Sequence, residues 1–180
     1  MAAYGCLKGR LLGFSLIELL VSVLLMVILI TFAIPAFSKL IADSQLISTT
    51  HLLRQLLHHA RAEAVKAGRP VYVCRLDAVH TKCTGNLSKG DHSWDHGALL
   101  FFDFDGDGVY HPAADQLLRV YRFDSRTRVN CSTGEIMTFL SDGRPAVGSS
   151  GTFTIKLQNA ADMGYRLIVN RAGRLRAEAL

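Results

Sequence analysis

Residues 13–37 read GFSLIELLVSVLLMVILITFAIPAF, and from Leu16 to Phe37 the apolar character is interrupted only by Glu18, Ser22, Thr31 and Pro35. At about 1.5 Å of rise per residue, a helix of this length covers the roughly 30 Å hydrocarbon core of a bilayer. The run can therefore cross a membrane once. Ahead of it stand Lys8 and Arg10 with no acidic residue. That bias leaves the short N-terminus in the cytoplasm and sends the rest outward, which in a bacterium means the periplasm. A secretory signal has a shorter apolar core followed by small residues at a cleavage site. Here no A-x-A-like site precedes Lys39 and Asp43, so the sequence predicts a segment that is retained. Glu18 is conspicuous in it. A charge placed centrally in a bilayer costs about 2.5–3.5 kcal/mol, so Glu18 either lies near the headgroups or acquires a compensating partner.

Pro35 should kink the helix, because proline removes one backbone bond and crowds the preceding turn. Beyond it Phe37, Leu40, Ile41, Ile47, Leu53, Leu56, Leu57, Ala60 and Ala64 recur at helical spacing. One helix of some fifty residues is thus expected to run to Gly68, with Pro70 just past its end. Afterwards the period changes. Runs rich in β-branched and aromatic residues at 70–76, 98–104, 117–123, 136–140, 152–158 and 165–170 predict strands separated by turn residues. No helical pattern intervenes, which predicts antiparallel sheets packed on the outer half of the helix: an α+β fold. With 49% apolar and 19% charged residues in 180, the chain has enough core to fold. Four cysteines and fifteen glycines without a triplet period exclude a disulfide-dense miniprotein and collagen.

The short basic leader, Gly13, Phe14 and a glutamate at the fifth residue from that phenylalanine together resemble the type IV prepilin signature. The resemblance implies a type IV pilin fold. It implies cleavage between Gly13 and Phe14 by a prepilin peptidase on the cytoplasmic face, and N-methylation of the new Phe14 amine. It also implies that Glu18 pairs with a neighbouring subunit's N-terminal amine during filament assembly, which would compensate the carboxylate. The layout becomes a leader at 1–13, a transmembrane and filament-core half-helix at 14–37, an amphipathic half at 38–68 and a periplasmic β-rich head at 69–180. The order Cys74, Cys83, Trp94, Gly97 and the aspartate-rich 103–108, with the ending Gly173-Arg174-Leu175-Arg176, is similar to the GspH/FimT family of minor pilins and pseudopilins. Expected partners are the peptidase, other pilins or pseudopilins and an inner-membrane assembly platform.

Cys6 falls in the leader, leaving Cys74, Cys83 and Cys131 in an oxidising compartment. The family order favours a Cys74–Cys83 bridge, with Cys131 left as a buried thiol or a site for intermolecular bridging; a Cys74–Cys131 bridge stays open, since sequence does not fix connectivity.

Asp103, Asp105, Asp107 and Gly108 match the opening of a calcium loop, but the position of the bidentate glutamate is held by Ala114. A tight turn with solvated aspartates is the expectation, with a looser calcium site completed by Asp115 as the alternative. His92 and His96 have the spacing of helix-borne zinc ligands, but the glycines and serine around them predict no helix. His51, His58 and His59 are expected on the solvated face of the long helix. There is no nucleophile with an identifiable base, no Walker loop and no dinucleotide fingerprint, so neither an enzyme nor a cofactor is expected.

Without Lys8 and Arg10 the net charge falls from +5 to +3, too little by itself to indicate nucleic acid. The location of the charge matters more. Arg166, Arg171, Arg174 and Arg176 crowd the C-terminal end, opposed chiefly by Glu178. If 174–176 is extended, Arg174 and Arg176 share one face, and Gly173 permits a sharp turn and close backbone approach to a ligand. Two guanidinium forks on one face suit phosphate oxygens, giving salt-sensitive, sequence-independent binding. In FimT-like pilins a glycine-arginine-x-arginine tail is implicated in capturing DNA for natural transformation, which Gly173, Arg174 and Arg176 match. Lys156, Arg166 and Arg171 are expected auxiliary contacts. GspH-like pseudopilins of type II protein secretion share helix and head, and form the alternative.

Overall fold

A computed structural model of the protein describes residues 15–79, 82–83, 92–158 and 160–180. Gly13 and Phe14 lie outside them. Helix α1 spans Leu16–Ala67 and remains helical through Pro35. Ser15 precedes it, its carbonyl accepting the first helical bond from the Leu19 amide at 3.1 Å. At the other end the Gly68 amide donates to the Val65 carbonyl and the Arg69 amide to the Ala64 carbonyl, with Gly68 at φ +64°. This left-handed cap satisfies two carbonyls that the last helical turn would leave unpaired.

The chain divides into two units, one ending at Leu40 and the other Ile41–Leu180. In the first, every side chain from Leu16 to Ile34 is exposed, and the most apolar 18-residue window has mean hydropathy 2.8. This stretch is a candidate membrane anchor by length and composition. In the second unit, Leu46, Leu53, Leu56, Leu57, Ala60 and Ala64 are fully buried. Each such leucine contributes about 1.5–3 kcal/mol relative to exposure. Leu46 replaces the expected Ile47, which is exposed. The buried stripe continues from Leu46 through Thr49 and Thr50 to Leu53, because steps of three and four around the helix keep those positions on the packed side.

Among the described residues eight strands follow: β1 Val71–Arg75, β2 Gly97–Phe102, β3 Gln116–Arg122, β4 Thr127–Cys131, β5 Ile136–Phe139, β6 Gly151–Leu157, β7 Ala160–Val169 and β8 Leu175–Ala179. They form two four-stranded sheets, ordered β3-β2-β1-β5 and β4-β6-β7-β8, with every pairing antiparallel. Strand β2 is buried along its whole length, which explains its continuous apolar sequence GALLFF. One face of β1 and β2 joins the main core, and the other meets a smaller cluster of Cys74, Leu76, Leu99, Phe101 and Ile136. Trp94 sits in the main core with its ring edge-on to Phe153 at 5.3 Å, and its Nε1–H donates to the Gly134 carbonyl at 2.8 Å.

Strands β4 and β8 are additional to the six expected. Both alternate: Thr127, Val129 and Cys131 are buried while Arg128 and Asn130 are exposed, and Leu175 and Ala177 pack on the core while Arg176 faces solvent.

Candidate functional site

Glu18 lies in the first turn of α1 and is exposed, with no ion-pair partner among the described residues. A carboxylate is favoured there by the positive end of the helix dipole. Ser22 turns its hydroxyl back to the Glu18 carbonyl at 2.6 Å, so it satisfies the backbone and leaves the carboxylate available.

The C-terminal end is built around a turn. Asn170 accepts the Gly173 amide on its carbonyl, and the Ala172 and Arg174 amides on its side chain at 3.0 and 2.8 Å. Gly173 takes φ +73°, as a sharp turn requires. It is nevertheless buried. The Gly143 carbonyl stands 2.5 Å from where a Cβ would be, and the Arg61 guanidinium of α1 donates to the Gly173 carbonyl at 2.8 Å. The approach expected for a ligand is therefore occupied by the molecule's own backbone, and Gly173 acts as an anchor for the turn. Arg174 and Arg176 are exposed on either side of the partly buried Leu175, the alternation expected of extended chain.

Strand register places the other cations. Arg166 is opposite Thr154 on β6 and Glu178 on β8; Arg176 is opposite Ile168; Lys156 is opposite Arg128 on β4. Lys156, Arg166 and Arg176 therefore share the outer face of the second sheet, together with Arg128, which no motif singles out. Arg176 is ion-paired with Glu178 at 2.8 Å. Arg171 is apart from them, lining a cavity with Arg144, Pro145, Val147 and Ser150. Two exposed arginines elsewhere, Arg126 and Arg144, are locally neutralised, whereas Arg119 and Arg122 are exposed without an ion pair among the described residues. Hydrogen bonds from Arg126 hold Asp124 below the usual carboxylate range, and those from Arg144 do the same for Asp142. Arg128, Lys156, Arg166 and Arg174 have no ion-pair partner among the described residues.

The aspartate loop is a self-capped turn. Asp103 accepts the Gly106 and Gly108 amides, Asp107 accepts the Val109 amide, and Asp115 accepts the Phe104 and His111 amides. Carboxylate oxygens of Asp103, Asp105 and Asp115 lie within 4.8 Å of one another. Loss of hydration, with the charges of Asp107 and Asp115, pushes Asp105 above its ordinary range. His92 and His96 are exposed, not helical, and join no group of three ligand-type side chains among the described residues. His59 departs from the expected solvated face: its Nδ1 is 3.1 Å from the Tyr121 hydroxyl on β3.

Cys74 and Cys83 form the disulfide. Cys131 is a buried free thiol, its pKa pushed up by burial and partly offset by hydrogen bonding to Thr133. At pH 8, alkylation followed at the Cys131 peptide by mass spectrometry should be at least about tenfold slower in the native protein than in denaturant. Equal rates would mean that the thiol is open to solvent.

The model of the family described as type II transport protein GspH matches residues 49–173, which include the last part of α1 from Thr49 and strands β1 to β7. Two crystal forms of the type IV minor pilin FimU of Pseudomonas aeruginosa share the fold. One aligns at TM-score 0.57 with 22% identity, over 75% of this chain and 97% of that one. The other aligns at TM-score 0.58 with 21% identity, over 77% and 94%. No curated protein matches the sequence. A long N-terminal helix whose second half packs beneath two antiparallel sheets, over the span that the family model covers, makes this chain a member of the GspH family of type IV pilin-like minor pilins and pseudopilins.

Proposed function

We propose that the protein is a minor subunit of an inner-membrane filament whose head binds DNA without sequence preference, in the service of DNA uptake. In this reading the prepilin peptidase cuts between Gly13 and Phe14, residues 14–37 remain as anchor and filament core, and the 69–180 head faces the periplasm. Glu18 then meets the methylated amine of a neighbouring subunit on the assembly platform. The exposed carboxylate, without an ion-pair partner among the described residues and at the start of an apolar stretch of helix, supports this, because the costly charge needs a counter-charge.

The DNA reading rests on one observation: Arg174 and Arg176 project to solvent from a C-terminal segment docked through Gly173. Paired guanidinium groups held on fixed backbone bind phosphate with little loss of conformational freedom. The full chain in nonionic detergent should bind duplexes of unrelated sequence equally. Replacing both arginines by glutamine should reduce the dependence of log K on log salt by about two units. An unchanged slope for the double variant would remove the tail from DNA binding. Mass spectrometry of the native product should find methylated phenylalanine at its start, and any other N-terminus would overturn the processing step.

The description of the matched family favours a second reading, a pseudopilin of type II protein secretion. Deleting the gene would then block enzyme export and leave DNA uptake intact; the first reading requires the reverse.

A further inference from the structure

The second sheet carries one cation per strand on its outer face, and the register makes them a line. Arg128 of β4 is directly opposite Lys156 of β6. Lys156 is opposite Gly164, two residues from Arg166 on β7, and Arg166 is opposite Glu178, two residues from Arg176 on β8. Directly opposed side chains in an antiparallel pair are about 5 Å apart at Cβ and diagonal ones about 7–8 Å. Arg128, Lys156, Arg166 and Arg176 thus form a diagonal row of roughly 20 Å. The remaining outward positions of β4 and β6 are Asn130, Thr152 and Thr154, and β7 adds Ile168, so none of these neighbours is an aromatic ring on which a base could stack. Glu178 is the acid set into the row. It is ion-paired with Arg176 and faces Arg166 across the strands.

We infer that the row Arg128-Lys156-Arg166-Arg176 is the track along which the head grips successive backbone phosphates of duplex DNA, with Glu178 as a built-in competitor for its arginines. This rests on the DNA reading above and adds two members to it, Arg128 and Glu178. The chemistry follows from the face: cations about 5–8 Å apart on stiff strands match the closely spaced charges of a polyanion, and the lack of stacking groups among the described residues of this face restricts contact to the backbone. Glu178 engages one guanidinium nitrogen of Arg176 and sets a negative charge beside the row, so it opposes the approach of phosphate.

The test uses the full chain in nonionic detergent, fluorescent 30-base-pair duplexes and a salt titration. Arg128→Gln should flatten the salt slope by about one unit, Arg128→Lys should retain it, and Glu178→Gln should steepen it by up to about one unit. Arg122→Gln, on β3 of the first sheet, should leave the slope unchanged. If Arg128→Gln and Glu178→Gln bind like the wild type while the Arg174/Arg176 double variant loses binding, the row is wrong and the tail reading survives. If the wild-type chain binds no duplex at low salt, the DNA reading itself falls and takes the row with it. Retention of the slope defect when detergent is replaced by neutral-lipid nanodiscs supports the row. Binding confined to anionic-lipid vesicles, with none to duplex, would reassign the face to a membrane and overturn it.

Discussion

Trp94→Ala should remove about 3–5 kcal/mol from the stability of the head. Trp94 is among the largest fully buried side chains, packs edge-on against Phe153 and donates its indole N–H to the Gly134 carbonyl. Alanine would leave a cavity between the two sheets and an unsatisfied acceptor on the 132–135 turn, and the two losses add. Its backbone is also a junction: the Trp94 amide donates to Val129 of β4 and its carbonyl accepts from Gly97 at the start of β2. For a head of this size, the melting temperature should fall by roughly 10–15 °C. Trp94→Phe keeps most of the apolar contact and loses the hydrogen bond with a smaller share of the volume, for about 1–2 kcal/mol. A drop below about 1 kcal/mol for the alanine variant, read by thermal melting of the full chain in detergent, would mean that Trp94 is not the joint between the sheets.

Gly173→Ala comes next in size, with an expected cost of about 2–3 kcal/mol. The left-handed conformation alone costs an L-residue about 1–2 kcal/mol, and the added methyl would also press on the Gly143 carbonyl, which is backbone and cannot rotate away. Gly68 provides the internal comparison. It has φ +64°, close to the +73° of Gly173, but nothing lies within 4 Å of where its Cβ would be. Gly68→Ala should therefore show the conformational cost alone, and the difference between the two variants measures how firmly the turn is docked. Hydrogen exchange gives the second readout. The Gly173 and Arg174 amides, both bonded to Asn170, should lose protection in Gly173→Ala and keep it in Gly68→Ala. Equal costs for the two variants would show that the turn is not held by its neighbours.

The long helix was legible because its signals agree: an unbroken apolar run, then steps of three and four, then a glycine and a proline at the end. Strand β4 escaped notice because its outward positions, Arg128 and Asn130, dilute a five-residue segment whose inward positions are Thr127, Val129 and Cys131. Strand β8, LRAEA, consists largely of residues that favour helices; it is extended because it pairs with β7 and because Leu175 and Ala177 close the core. The arginine pair and the disulfide could be anticipated from local sequence with the family resemblance. Arg128 could not, because its relation to Lys156 is a matter of register between strands more than twenty residues apart. Burial of Gly173 was hidden for the same reason: Arg61 and Gly143 reach it from distant parts of the chain.

Strand β8 is the last member of its sheet, so one margin of its backbone has no strand partner among the described residues. Such a margin invites a foreign strand to zip onto it, and alternating charges on a short terminal strand are a common deterrent. Arg174, Arg176 and Glu178 supply that deterrent here. Neutralising the arginines thus does two things at once, since it also unguards a surface on which subunits could polymerise edge to edge. Light scattering of the glutamine variants must accompany any titration, because clumped protein would imitate tighter capture.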